Sequence, residues 1–214
     1  MPFMKSKKIK ENFKLLESSG SYDPKLEHDA CGVGLVAKIT GEASHEIVEK
    51  SLKALCNLEH RGASGADKET GDGAGIILQI PHDYFYEELK KSNIILKKDN
   101  YGTGVLFCGK NEHDSEKIKK IFENCVEELG LKVFTWRDVP IAPDKIGKTA
   151  REIMPILQQV FVGSEGEDII DDIEQKLFII RKKFENIILN DFDDDIRNYI
   201  YVCSLSSTKI VYKG

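Results

Sequence analysis

The chain has 214 residues, 41% of them apolar and 31% charged, and its 31 Lys and Arg against 36 Asp and Glu give a formal charge of -5. That apolar content supports one packed domain and excludes a fibrous or disordered chain. The mixed signs, with the acidic run "NDFDDD" (190–195) answered by "RKK" (181–183), argue against a nucleic-acid partner. No apolar run approaches the roughly eighteen residues that span a bilayer, so no membrane location is expected.

Residues 1–30 read as a leader. "KSKKIK" is not followed by an apolar core, so it is neither a secretory signal nor an acid-poor transit peptide. A short helix over residues 8–16 is broken by the turn formers of "SSGSYDP". The folded part then begins near Cys31, where "CGVGLVAKIT" predicts a strand with Val33, Leu35 and Ala37 on one face, ending at Gly41. Ser44 is placed to cap a helix carrying Val48, Leu52, Leu55 and Leu58 at helical spacing, which "HRGASG" stops. The loop "ADKETGDGAG" leads into a strand over residues 76–81. A strand at "GTGVLFCG", a helix over residues 114–129 and a strand at "KVFTWRDV" come next.

Pro155 should split "AREIMPILQQVFVG" into a short helix and an extended piece, because proline removes a helical hydrogen bond. An amphipathic helix over residues 168–189 places Ile169, Ile173, Leu177, Ile180 and Phe184 on one face, and two strands, "NYIYVCSLSS" and "KIVYKG", finish the chain. Helices over an antiparallel or mixed sheet are the class this order implies. Stopping in what looks like a hairpin, the chain reads as a segment of something longer. Neither an internal repeat nor a low-complexity stretch is present.

Five cysteines without C-x-x-C pairs suggest a reducing, cytoplasmic setting. Cys56, Cys108, Cys125 and Cys203 fall within apolar or amphipathic segments, where buried cysteine behaves as a small hydrophobe. Cys31 is different. A cysteine opening a strand is compatible with a core position, but one placed after a leader also suits an N-terminal nucleophile. Cleavage before it would free an α-amine, with a pKa of about 7.7 to 8.0, able to take the thiol proton near neutrality. Gly32 and Gly34 would let backbone and substrate approach closely.

Arg61 either closes a helix in solvent or, through its planar fork, supports the strand carrying the nucleophile or a small carboxylate substrate. Asp72 either orients backbone amides or stabilises a turn. The glycine-rich stretches lack the Lys-Ser/Thr or strand–helix setting of a phosphate loop. The histidines are scattered, with only His60, beside Arg61, of note.

Taken together, "DACGVGLVA", "LEHRGASGADKETGDGAG", "WRDVP" and "YVCSLS" resemble the glutamine amidotransferase domain that opens the large subunit of the glutamate synthases, from about Tyr22 to Gly214. The resemblance implies a leader (1–30) and the first part of the amidotransferase domain (31–214). The fold implied is α+β, the four-layer αββα N-terminal-nucleophile sandwich, incomplete in this chain.

By that resemblance Cys31 is the catalytic nucleophile, Arg61 and Gly32 bind substrate or support the site, and glutamine yields ammonia through a cysteine thioester for transfer to 2-oxoglutarate elsewhere. No metal or other cofactor is expected in this segment. FMN and an iron-sulfur cluster are implied for the rest of the protein, with a small electron-donating subunit as a further partner. A stand-alone amidotransferase feeding a partner subunit, or a non-catalytic scaffold or regulatory domain of the same fold, are the other readings. Segments resembling R-F-S-T and H-N-G-E, which in the family hold the substrate carboxylate and form the oxyanion hole, do not occur in the chain.

Overall fold

A computed structural model describes residues 32–58, 70–71, 73–164 and 172–214. The expected leader with its short helix, and Cys31, His60, Arg61 and Asp72, lie outside the described residues. Six helices of four residues or more and six strands occur among those described: α1 (His45–Asn57), β1 (Gly75–Gln79), α2 (His82–Lys90), β2 (Tyr101–Cys108), α3 (Glu112–Glu127), β3 (Lys132–Asp138), α4 (Lys148–Glu152), β4 (Leu157–Gly163), α5 (Ile173–Asp191), α6 (Asp194–Arg197), β5 (Ile200–Ser206) and β6 (Lys209–Lys213).

The strands form two sheets. A four-stranded sheet runs β3-β4-β2-β5, and a two-stranded sheet pairs β1 with β6. Every pairing is antiparallel, which settles the choice between an antiparallel and a mixed sheet that the sequence left open. The strands β2 and β4 are covered on both faces, as their near-continuous burial shows. On one face α3 and α5 pack Ile118, Phe122, Leu177, Ile180 and Phe184 against Leu106, Val160, Val162 and Val202. Phe122 lies at the centre, its ring edge-on to both Trp136 and Phe184 at 5.4 Å between centroids.

On the other face Tyr101, Val105 and Phe161 meet Ile210 and Tyr212 of β6, Leu78 of β1, and Phe85 and Leu89 of α2. The layers are therefore helices, four-stranded sheet, two-stranded sheet, with α1 lying against β1. Alternation along β1 half-buries Ile76 and Leu78 and leaves Ile77 on the far face, 68% exposed.

The chain changes sheets at Ser207 and Thr208, between β5 and β6. One oxygen of Glu174, in the first turn of α5, holds that corner by accepting from Ser206 Oγ at 2.7 Å, Ser207 N at 2.6 Å and Ser207 Oγ at 2.8 Å. Asn111 caps α3 through a 2.9 Å bond from the Asp114 amide, so that helix starts at Glu112, two residues before the expected Asp114. Pro155 splits its segment as expected, with α4 before it and β4 after.

Three expectations need correction. Residues 32–38 carry no regular secondary structure and pair with no described strand, and Val33 and Leu35 are more than 90% exposed; a strand exists only where a ladder partner is present, and alternation in one segment does not supply it. Cys56 is exposed, because it sits one turn after the exposed Leu52, on the flank of α1 away from the half-buried Ile47, Ala54 and Leu58. The helix α2 was not anticipated, although Phe85 and Leu89, four residues apart behind Pro81, carry its signal.

Candidate active site

The described neighbourhood of the expected nucleophile is built from α1 and the irregular segment before it. A Cβ placed on Gly32 would lie 3.1 Å from three side-chain carbons of Leu58, and one on Gly34 would lie 3.9 Å from the Ala54 Cβ. Residues 32–34 thus cross the C-terminal end of α1. This brings the residue following Cys31 against Leu58, three positions before Arg61. Of the predicted site residues the structure places Gly32, exposed and tight against Leu58; Cys31 and Arg61 lie outside the described residues.

After Asp72 the described fold resumes at a constrained point. Gly73 has φ +88°, and a Cβ there would stand 2.3 Å from the Gly214 carbonyl oxygen, so only glycine fits. Ala74 and Gly214 exchange both amide-to-carbonyl hydrogen bonds at 3.0 Å, extending the β1–β6 ladder to that end. Gly73 and Ala74 are consequently held by the end of β6.

Three of the other thiols are poor nucleophile candidates by environment. Burial pushes Cys108 up to about 12 and Cys203 up to about 11, and it also raises Cys125. At neutral pH these three remain thiols. Among the described residues no three or more His, Cys, Asp or Glu side chains converge as a metal site would require. No described helix is long and apolar enough to cross a membrane.

Sequence patterning missed a polar cluster between the two sheets. Gln159 of β4 is fully buried. Its Oε1 accepts from Arg137 Nη1 at 2.9 Å and from Tyr212 OH at 3.3 Å, and its Nε2 donates to Thr103 Oγ1 at 3.1 Å. Thr103 Oγ1 donates onward to the Val160 carbonyl at 2.9 Å, and Arg137 Nη2 donates to Tyr84 OH at 3.1 Å. Burial raises the Tyr212 phenol above its usual range, keeping it a neutral donor. The sequence signal was "LQQVFV", a glutamine on the same strand face as Phe161 in an otherwise apolar run.

Comparison with known proteins gives consistent matches. Residues 31–214 match the family described as glutamine amidotransferases class-II. The chain is 42% identical over 200 residues to the glutamate synthase [NADPH] large chain of Bacillus subtilis (strain 168), covering 92% of this chain and 13% of that one. It is 41% identical over 189 residues to ferredoxin-dependent glutamate synthase 1, chloroplastic/mitochondrial, of Arabidopsis thaliana, covering 88% and 12%. The ferredoxin-dependent glutamate synthase of Pyropia yezoensis is 40% identical over 202 residues, covering 94% and 13%. The chain therefore spans roughly an eighth of the length of these relatives.

Proposed function

The chain belongs to the class-II glutamine amidotransferases, and on that premise we propose that it is the opening portion of the glutaminase domain of a glutamate synthase. The single observation carrying this is the family match that starts at Cys31, joined to 42% identity with a glutamate synthase large chain. Removal of residues 1–30 makes Cys31 the first residue. Its α-amine takes the thiol proton, and Sγ attacks the side-chain amide carbon of glutamine. The carbon–nitrogen bond breaks as the ammonium returns the proton to the leaving nitrogen, giving ammonia and a thioester. Water then cleaves the thioester to glutamate and regenerates the thiol.

Arg61 supports this centre, and Gly32 lets substrate approach where any side chain would press on Leu58. The three layers described, with α1 in contact with β1, support a four-layer αββα sandwich completed by further polypeptide. Substrate anchoring and oxyanion stabilisation belong to that further part, since the R-F-S-T and H-N-G-E segments are absent here; one missing oxyanion donor alone costs about 100- to 1000-fold. Transfer of ammonia to 2-oxoglutarate belongs to the rest of the protein too.

The described cysteines do not fit an iron-sulfur cluster: Cys56 is exposed on α1, Cys108 and Cys125 are buried in one core and Cys203 borders the other. No step is routed through such a group. The test is labelling by a glutamine-like electrophile after leader removal, followed by peptide mapping. Label on Cys31, abolished by Cys31→Ala, is expected; equal label on Cys56 would overturn the assignment.

A further inference from the structure

We propose that the open edge of β1, at Gly75, Ile77 and Gln79, is where the two-stranded sheet takes its next strand, an extended segment of polypeptide from outside this chain. The proposal rests on the reading above, in which the chain is the opening portion of a longer domain; it spans 13% of the Bacillus subtilis relative. Two antiparallel strands are marginal alone, and a sheet gains independent stability from a third. The question is which of the two edges receives it.

The phase of the β1–β6 ladder shows what each edge offers. Ala74 and Gly214 exchange both bonds and the Ile80 amide donates to the Thr208 carbonyl, so Ile76–Tyr212 and Leu78–Ile210 are the hydrogen-bonded pairs between them. The amides and carbonyls of Gly75, Ile77 and Gln79 therefore point away from β6, and those of Lys209 and Val211 point away from β1. Side chains close the β6 edge. Ser204 Oγ accepts from the Val211 amide at 3.1 Å, and Ser206 Oγ accepts from the Lys209 amide at 3.4 Å. These serines lie opposite Val105 and Thr103 of β2, on the face turned toward β6, because the bulge at Cys203 shifts the register by one residue.

A strand added beside β6 would have to displace β5. On β1 no described strand pairs with the open edge, and "GIILQ" carries neither charge nor proline, the usual guards of an exposed edge. The outer strands of the larger sheet are guarded: β3 carries Lys132, Arg137 and Asp138, and β5 is bulged. The chemistry of the occupant follows. It is an extended, uncharged segment, apolar on both faces, since one face continues the layer of Leu78 and Ile210 and the other lies beside Ile77, which is 68% exposed.

Amide hydrogen exchange tests this, with the Ile76 amide, paired with Tyr212, as the reference within each protein. In the 214-residue chain, diluted until light scattering shows a monomer, Ile77 should exchange at least about 100-fold faster than Ile76. In a longer polypeptide that supplies the R-F-S-T and H-N-G-E segments, the two should exchange within about tenfold of each other. Ile77→Pro removes a donor aimed at the open edge, so it should shift the urea midpoint of the 214-residue chain by less than about 0.3 M and that of the longer polypeptide by about 1 M. Ser204→Val should speed exchange of the Val211 amide about tenfold in either protein.

Slow Ile77 exchange in the dilute 214-residue chain would show that its own residues fill the edge, and slow exchange that fades on dilution of the longer polypeptide would assign the edge to a second copy. Fast Ile77 exchange in a folded longer polypeptide, or equal effects of Ile77→Pro in the two proteins, would leave the edge open. Each of these overturns the proposal, as does a Val211 amide indifferent to Ser204→Val, because the β6 edge is then not closed. A longer polypeptide that folds but does not hydrolyse glutamine overturns the glutaminase reading instead, with the exchange ratio still deciding the edge.

Discussion

Replacing Gly104 with alanine should destabilise the domain by about 3 kcal/mol, and the structure states why. Gly104 lies in β2, the strand that both β4 and β5 pair with. Next to it the β2–β5 register shifts between Val105 and Leu106, leaving Cys203 as the extra residue of a bulge. The bulge turns the Ser204 carbonyl toward Gly104, so an added Cβ would sit 2.3 Å from that oxygen and 3.1 Å from the Leu205 Cα. Both obstacles are backbone atoms of β5, which is laddered to β2, so relief requires β2 and β5 to part locally.

Overpacking of this kind costs about 1 to 3 kcal/mol, and two weakened ladder bonds add about 1 each. The lower entropy of the unfolded alanine chain offsets about 0.5 to 1 of this. Urea unfolding followed by Trp136 fluorescence measures the change, since Trp136 is the single tryptophan of the chain and packs on Phe122. Gly130→Ala is the control: its φ is +71° but nothing lies within 4 Å of the added carbon, so only about 1 kcal/mol of backbone strain is expected. A loss below 1 kcal/mol for Gly104→Ala, or one no larger than for Gly130→Ala, would refute the reasoning.

Phe122→Ala removes a fully buried ring and two edge-on aromatic contacts, and should cost about 4 kcal/mol in the same urea assay while altering the Trp136 emission. Glu174→Gln should cost about 1 kcal/mol at neutral pH, a figure reduced for the carboxylate's solvent exposure. Although burial raises the Glu174 pKa, the bonds from Ser206 and Ser207 lower it more and leave it below the usual glutamate value. The carboxylate's stabilisation is therefore complete above that usual value and lost as pH falls through the folded one; a wild-type advantage that persists undiminished at pH 3 contradicts this. With a general thiol reagent on the folded chain, Cys56 should react at least tenfold faster than Cys108 or Cys125, as mass mapping of time points will show. Glutamine hydrolysis should be undetectable in the 214-residue chain and present in a longer polypeptide that supplies the R-F-S-T and H-N-G-E segments; equal turnover in the two would show that the chemistry needs neither.

Exposed apolar side chains bear on how the chain behaves alone. Val33, Leu35, Leu52 and Ile77 all face solvent, and β1 and β6 each have one edge unpaired by any described strand. Apolar faces beside open strand edges favour association. Where α3 and α5 close over the four-stranded sheet, Phe178 and Leu189 of α5 are exposed as well, at 60% and 57%.

Local chemistry made much of this protein legible before any coordinates. Leucines at helical spacing after Ser44 wrote α1, Pro155 wrote the break between α4 and β4, and short apolar, β-branched runs wrote the six strands of the two sheets. Those signals are encoded within a few residues of where they act, through φ restriction, capping and periodicity of burial. The cysteine at the start of the matched family region was likewise readable, because a leader, a nucleophile and two glycines are contiguous.

What the chain order could not express was decided by tertiary contacts. The sheet assignment of β6, away from its hairpin neighbour β5, depends on Glu174 gripping the corner from thirty-two residues upstream. The fate of residues 32–38 depends on a ladder partner that their own alternation does not provide. Gln159 acquires its meaning only when Thr103, Arg137 and Tyr212, from three other strands, converge on one amide. Each of these is a pairing between distant positions, and hydrogen bonds of that kind leave no periodic trace in either partner's sequence.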